Sequence, residues 1–135
     1  MGNKESQFRT SETHPHQVDC LPNDFLPKNS MLGMMMCPGR NKKIHQRNLQ
    51  LDLERIRDVY NGQTIVTLVR SHELESMKIT DYLERIQTEE FNCMKSIHFP
   101  IKDKSLPEDK EEFCKLIDVI VGELVLGRRG LFHFN

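Results

Sequence analysis

Two groups of residues in this chain have types and surroundings suited to chemistry. One is Asp103, in the charged loop from Pro100 to Glu108; the other is the closing stretch Leu131-Phe132-His133-Phe134-Asn135. An aspartic acid on a loop can protonate a leaving oxygen, an effect worth about 10²- to 10⁴-fold in rate. The same residue type also forms turns and carries ordinary solvated charge. The closing stretch follows Gly127-Arg128-Arg129-Gly130 and reads as a buried strand feeding a phosphate-binding turn. Set at one rim of a sheet, Asp103 and this stretch would face each other.

Other reactive residue types are weaker candidates. His14-Pro15-His16 with Cys20 has metal-ligand chemistry but no second matching pair, so no metal is assigned. Ser71-His72 beside Asp81 or Glu73 has the composition of a hydrolytic triad, although adjacency in sequence says little about triad geometry. Arg40, Lys42, Lys43 and Arg47 make a basic patch that suits a phosphoprotein or nucleic acid, or simply a solvated helix entry. No glycine-rich nucleotide loop is present, and no cofactor is implied.

The elements that must position these residues follow from periodicity. Residues 1–30 carry Pro15, Pro22 and Pro27 without a clear apolar period and read as a flexible N-terminal arm. Met31-Leu32-Gly33-Met34-Met35-Met36, closed by Cys37-Pro38-Gly39, reads as a buried strand and turn. Leu49, Leu53, Ile56 and Tyr60 recur at helical spacing from about His45, and Asn61-Gly62 stops the helix. A β-branched strand, Thr64 to Val69, comes next, then a helix expected over Ile79 to Glu90 and a strand from Met94 to Phe99. A last helix with Phe113, Leu116, Ile117, Ile120 and Leu124 on one face ends near Gly127. This alternation predicts an α/β fold with a mostly parallel sheet, whose ligands bind beyond the carboxyl ends of the strands.

Length and composition fit that architecture. With 135 residues, 37% apolar content and a net charge of −1, the chain suits one domain with no global pull toward nucleic acid or anionic membrane. No run of about twenty apolar residues exists to span a bilayer. The polar N-terminus has no signal-peptide core, which predicts a cytoplasmic or nuclear setting with Cys20, Cys37, Cys93 and Cys114 as free thiols. Met1-Gly2-Asn3-Lys4-Glu5-Ser6 matches the short N-myristoylation pattern at Gly2; one such chain would anchor only marginally.

A family resemblance covers residues 31–135 in order. Leu32-Gly33 through Cys37-Pro38-Gly39, the helix from Asn48, the strand leading to Arg70-Ser71-His72-Glu73-Leu74, and above all His98-Phe99-Pro100-Ile101-x-Asp103-x-x-x-Pro107 carry it. Together they resemble the cyclin-dependent kinase-associated phosphatases (cyclin-dependent kinase inhibitor 3-like), within the dual-specificity and tyrosine phosphatase superfamily. The resemblance implies a partial cysteine-phosphatase domain over 31–135, with Asp103 as general acid of a movable loop. It also implies a phosphoprotein partner, a cyclin-dependent kinase among the possibilities, and a setting in the cell cycle.

The same resemblance exposes a gap. The family's next strand ends in His-Cys, and that cysteine opens a Cys-x-x-x-x-x-Arg phosphate loop whose chemistry needs a thiolate nucleophile. Here Phe134 stands at the cysteine's place, between His133 and Asn135, which mark the start of an incomplete loop. No other cysteine restores the pattern, since Leu26, Lys43, Phe99 and Ile120 hold the sixth position after each. The expectation is a catalytically incomplete chain, inactive alone, that lacks the family's C-terminal helices. Its alternative is a non-catalytic, pseudophosphatase-like interaction module. Without those helices, Val66, Leu68 and the strand Leu131 to Phe134 would be left uncovered, favouring self-association.

Overall fold

Apolar runs that can be buried on both faces become the inner strands of one sheet. The computed structural model describes residues 8–102 and 104–134. Its strands are β1 (Val18–Cys20), β2 (Met31–Met36), β3 (Thr64–Thr67), β4 (Lys95–His98) and β5 (Arg129–Phe134), in the spatial order β1-β2-β5-β3-β4. β1 pairs antiparallel with β2, and the other neighbours are parallel. The fold class is thus the expected mostly parallel α/β sheet. The register sets Met36 beside Phe134 and Thr67 beside both His133 and His98, so the carboxyl ends of four strands share one rim.

Helix α1 (Leu49–Asp58) starts later than the periodicity suggested, because extended Asn48 caps it by accepting from the backbone N–H of Leu51 at 3.1 Å. A helix the periodicity did not announce, α2 (Ser71–Ser76), follows β3, and the single helix expected over Ile79 to Glu90 is replaced by α3 (Tyr82–Arg85) and a 3-10 turn at Glu89–Phe91. Lys78, with φ +59°, breaks the chain between α2 and α3, while Ile79, Tyr82 and Ile86 still share the core. Helix α4 (Lys110–Val125) is capped by Asp109, whose carboxylate accepts from Glu112 N–H at 3.1 Å.

Two readings are corrected here. Residues 8–30 do not lie apart from the domain as an arm: β1 edges the sheet, Arg9 bridges to His45, and Ser11 and His16 are buried. Nor is the second face of the sheet bare. Val66 is completely buried there with Leu116, Ile120 and Leu124 of α4, and Leu68, Ile97, Phe99 and Phe132 pack against that cluster. The expected self-association through an uncovered sheet therefore loses most of its surface. What stays open is the outer stripe of α4, Ile117, Val121 and Val125, and the rim residues Met34 and Phe134.

The turn after β2 depends on a glycine. Gly39 has φ +74°, a Cβ there would sit 2.7 Å from Leu49 Cβ, and its N–H donates to Asp52 Oδ2 at 2.9 Å. Gly39→Ala is expected to lose about 1–3 kcal/mol through the left-handed backbone and that clash. A lowered urea midpoint with unchanged slope would register it.

Candidate functional site

At the rim, the ends of β3, β4 and β5 are stitched together by backbone bonds. Leu68 N–H donates to His133 O at 3.0 Å, Phe99 N–H to Thr67 O at 2.9 Å, and Ile101 N–H to Leu68 O at 2.9 Å. The loop after β4 is thereby led back over β3. Its residues Lys102, Lys104 and Ser105 line a cleft of about 190 Å³ together with Phe134 and Glu73. Residues on either side of position 103 and Phe134 of the closing strand thus line one cleft. Asp103 and Asn135 lie outside the described residues.

His133 has a different place from the one assigned to it. It was expected to contribute to phosphate binding, but its side chain is entirely buried beneath the rim. Nε2 lies 2.9 Å from Thr67 Oγ1 and 2.8 Å from Tyr82 Oη, and the two rings meet edge-on with centroids 5.2 Å apart. Burial pushes the Tyr82 phenol well above its ordinary pKa, so it stays an O–H able to donate to the imidazole. Burial, aided by His16 and His98, holds the His133 pKa down to about 3. A neutral, fully enclosed imidazole, held by Thr67 and Tyr82, positions the end of β5 and is shielded from the rim. Phe134, the next residue, is 45% exposed and reaches both this cleft and a larger one.

The cysteines offer no obvious replacement nucleophile. Cys37 is buried, and desolvation pushes its thiol up to about 12, against the lowered pKa that a reactive thiolate needs. Cys20, Cys93 and Cys114 are exposed, on β1, before β4 and on α4, and line neither cleft.

Other sequence candidates are dispersed. His14 is exposed and hydrogen-bonds Thr13, His16 is buried next to Asp52, and Cys20 is exposed on the edge strand. Ser71 and His72 are exposed in α2, whereas Glu73 folds back to bond the Arg70 N–H at 3.1 Å and Arg70 Nε at 3.0 Å. The basic patch divides three ways. Lys42 and Lys43 border a separate shallow cleft with Lys78, Arg40 lines the larger cleft beside Phe134, and Arg47 is buried in a pair with Asp52.

Sequence reading missed a polar cluster beneath this site. Asp52 Oδ1 accepts from Ser11 Oγ at 2.8 Å and Arg47 Nη2 at 3.0 Å; Oδ2 accepts from Arg47 Nε and Gly39 N–H, both at 2.9 Å. His16 lies against it, with Nδ1 3.8 Å from Oδ2. The cluster joins the N-terminal segment, the turn after β2 and the start of α1. Only the pairing of a buried-face Asp52 with nearby Arg47 was available in the sequence as a signal.

Comparison with protein-family profiles gives no match, and neither does comparison with curated protein sequences. Among solved structures, the chain is similar to kinase associated phosphatase, determined as a variant whose catalytic-site cysteine is substituted by serine. The TM-score is 0.77 and the sequence identity 25%, over 89% of this chain and 65% of that one. The chain therefore spans 65% of the length of that protein and shares a dual-specificity-phosphatase-like fold with it.

Proposed function

We propose that this chain is a phosphatase-fold module that binds a phosphoprotein without hydrolysing it. The observation that carries the reading is Phe134. It follows the buried His133 at the carboxyl end of β5 and projects into the rim cleft where the resemblance calls for a nucleophilic cysteine. A phenyl ring cannot attack phosphorus. In this reading Asp103, the general acid that the resemblance implies, has no phosphoryl intermediate to serve.

The partner is a phosphorylated protein in the cytoplasm or nucleus. The name of the structural neighbour, a kinase associated phosphatase, supports a kinase as its first candidate. The test has two arms. The purified chain is expected to show no vanadate-sensitive hydrolysis of para-nitrophenyl phosphate or phosphopeptides, and to bind phosphopeptides more tightly than their unphosphorylated forms. Vanadate-sensitive turnover that disappears in Asp103→Ala would make the chain an enzyme and overturn the reading. Equal binding of both peptide forms would remove its phosphoprotein half.

A further inference from the structure

The larger cleft at the rim, about 480 Å³, has a composition the preceding reading does not use. Its apolar side consists of Met34 and Met36 at the end of β2 and Phe134 at the end of β5, all on the part of the sheet face beyond the α4 cluster. Arg9 and Arg40 border it, with one carboxylate, Asp19, on the β1 side. Neither arginine has an ion-pair partner among the described residues. Arg40 Nε is moreover shielded from solvent without a hydrogen-bond acceptor. The third arginine of the cleft, Arg47, is already neutralised by Asp52, which leaves the lining net positive.

The two free guanidinium groups stand on pinned backbone. Arg9 N–H donates to Ile44 O at 2.8 Å, Gln46 N–H donates to Arg9 O at 3.1 Å, and Arg47 N–H donates to Arg40 O at 3.2 Å. Both arginines therefore pay little backbone entropy on meeting a ligand. Positive potential is felt nearby at His45, whose pKa is held below its ordinary value by burial first and then by Arg40, Arg47 and Arg9. The volume lies in the range of small-molecule pockets. Methionine sulfur and a phenyl ring favour an aromatic guest, and a pair of guanidinium forks favours phosphate over a point anion.

We propose that this cleft binds a phosphate monoester carried on an aromatic ring, with Arg9 and Arg40 holding the phosphate and Met34, Met36 and Phe134 flanking the ring. In a protein partner that group is the phosphotyrosine side chain. The inference rests on the phosphoprotein-binding reading and gives it an address outside the cleft beside the Asp103 loop.

The test uses the full chain with methyl-labelled methionine. Phenyl phosphate, inorganic phosphate, and degenerate phosphotyrosine and phosphothreonine peptides are titrated in, with Met34→Leu and Met36→Leu assigning the methyl signals. Phenyl phosphate and phosphotyrosine peptides are expected to shift the Met34 and Met36 methyls and to bind about tenfold more tightly than inorganic phosphate or phosphothreonine peptides. Arg40→Ala and Arg9→Ala should each weaken binding by about tenfold or more, Arg40→Lys should only partly restore it, and Lys115→Ala, on the exposed side of α4 away from both clefts, should leave it unchanged. Among the described residues the Arg40 side chain makes no hydrogen bond or ion pair, so its removal leaves their native polar contacts in place. If phosphopeptides bind while the methionine methyls stay still and Arg40→Ala is neutral, this cleft is not the site, although the phosphoprotein reading survives. If no phosphorylated probe binds, both fall.

Discussion

Asp52→Ala is expected to cost about 3–5 kcal/mol and to lower the melting temperature by on the order of 10 °C or more, because it strands a buried arginine. Arg47 and Asp52 are each about 1% exposed and meet side-on through Nε and Nη2. Taking two such charges out of water is expensive, and only their mutual attraction with added hydrogen bonds offsets the cost. Asp52 has those bonds, from Ser11 Oγ and Gly39 N–H. Remove the carboxylate and the guanidinium keeps its desolvation penalty while three segments lose their common acceptor. The double variant Arg47→Met/Asp52→Leu separates the two effects, since it removes both charges and keeps apolar volume. It should recover a large part of the lost stability in urea titrations. Equal losses for Asp52→Ala and the double variant would mean that the tie between segments matters and the stranded charge does not.

The same cluster shows where reading the sequence stops. Leu49, Leu53 and Ile56 announce the inward face of α1 by spacing alone, and that face is buried as expected. Asp52 lies on it too, but a helical period cannot distinguish a buried carboxylate from an exposed one. Its burial depends on Arg47, Ser11 and Gly39, and Ser11 arrives from a proline-punctuated segment with no period of its own. For the same reason β1 was invisible: a three-residue edge strand needs only the exposed backbone of β2, which leaves no pattern in side chains. The inner strands and α4 were legible because burial on both faces, or on one stripe, imposes composition. At the rim, the sequence set Asp103 against the closing stretch; Lys102, Lys104 and Phe134 line one cleft there, and Asp103 itself lies outside the described residues. The sequence marked His133 as the start of a phosphate loop because the family it resembles ends this strand in His-Cys. Only the distant Thr67 and Tyr82 reveal that its ring faces inward.

Those enclosed histidines make acid the sharpest lever on stability. His16 and His133 are both buried, and His16 has no hydrogen-bond partner on either ring nitrogen among the described residues. Burial lowers the His16 pKa to about 4, opposed by Asp52 and reinforced by Arg47 and Arg55; His133 falls to about 3 for the reasons given above. In the unfolded chain both titrate near their ordinary value of about 6.5. A folded-state pKa below the unfolded one means that the unfolded chain binds more protons as the solution is acidified. The stability contributed by keeping these rings neutral is therefore fully present above about pH 6.5 and is lost as the pH falls toward 4 and then 3. By pH 4 the two rings together would forfeit on the order of 6 kcal/mol, comparable with the whole stability of an ordinary domain. Carboxylates titrate mostly below pH 5, so the interval from pH 6.5 to 5 isolates the histidines. Unfolding free energy from urea titrations followed by circular dichroism should fall there with a slope approaching two protons from His16 and His133, about 2.7 kcal/mol per pH unit, to which His45, its pKa also lowered, adds. His16→Gln should remove one of them even if it lowers overall stability. A flat profile between pH 6.5 and 5 would mean that both imidazoles reach water or a proton-stabilising partner, and would overturn the buried, neutral support assigned to the end of β5.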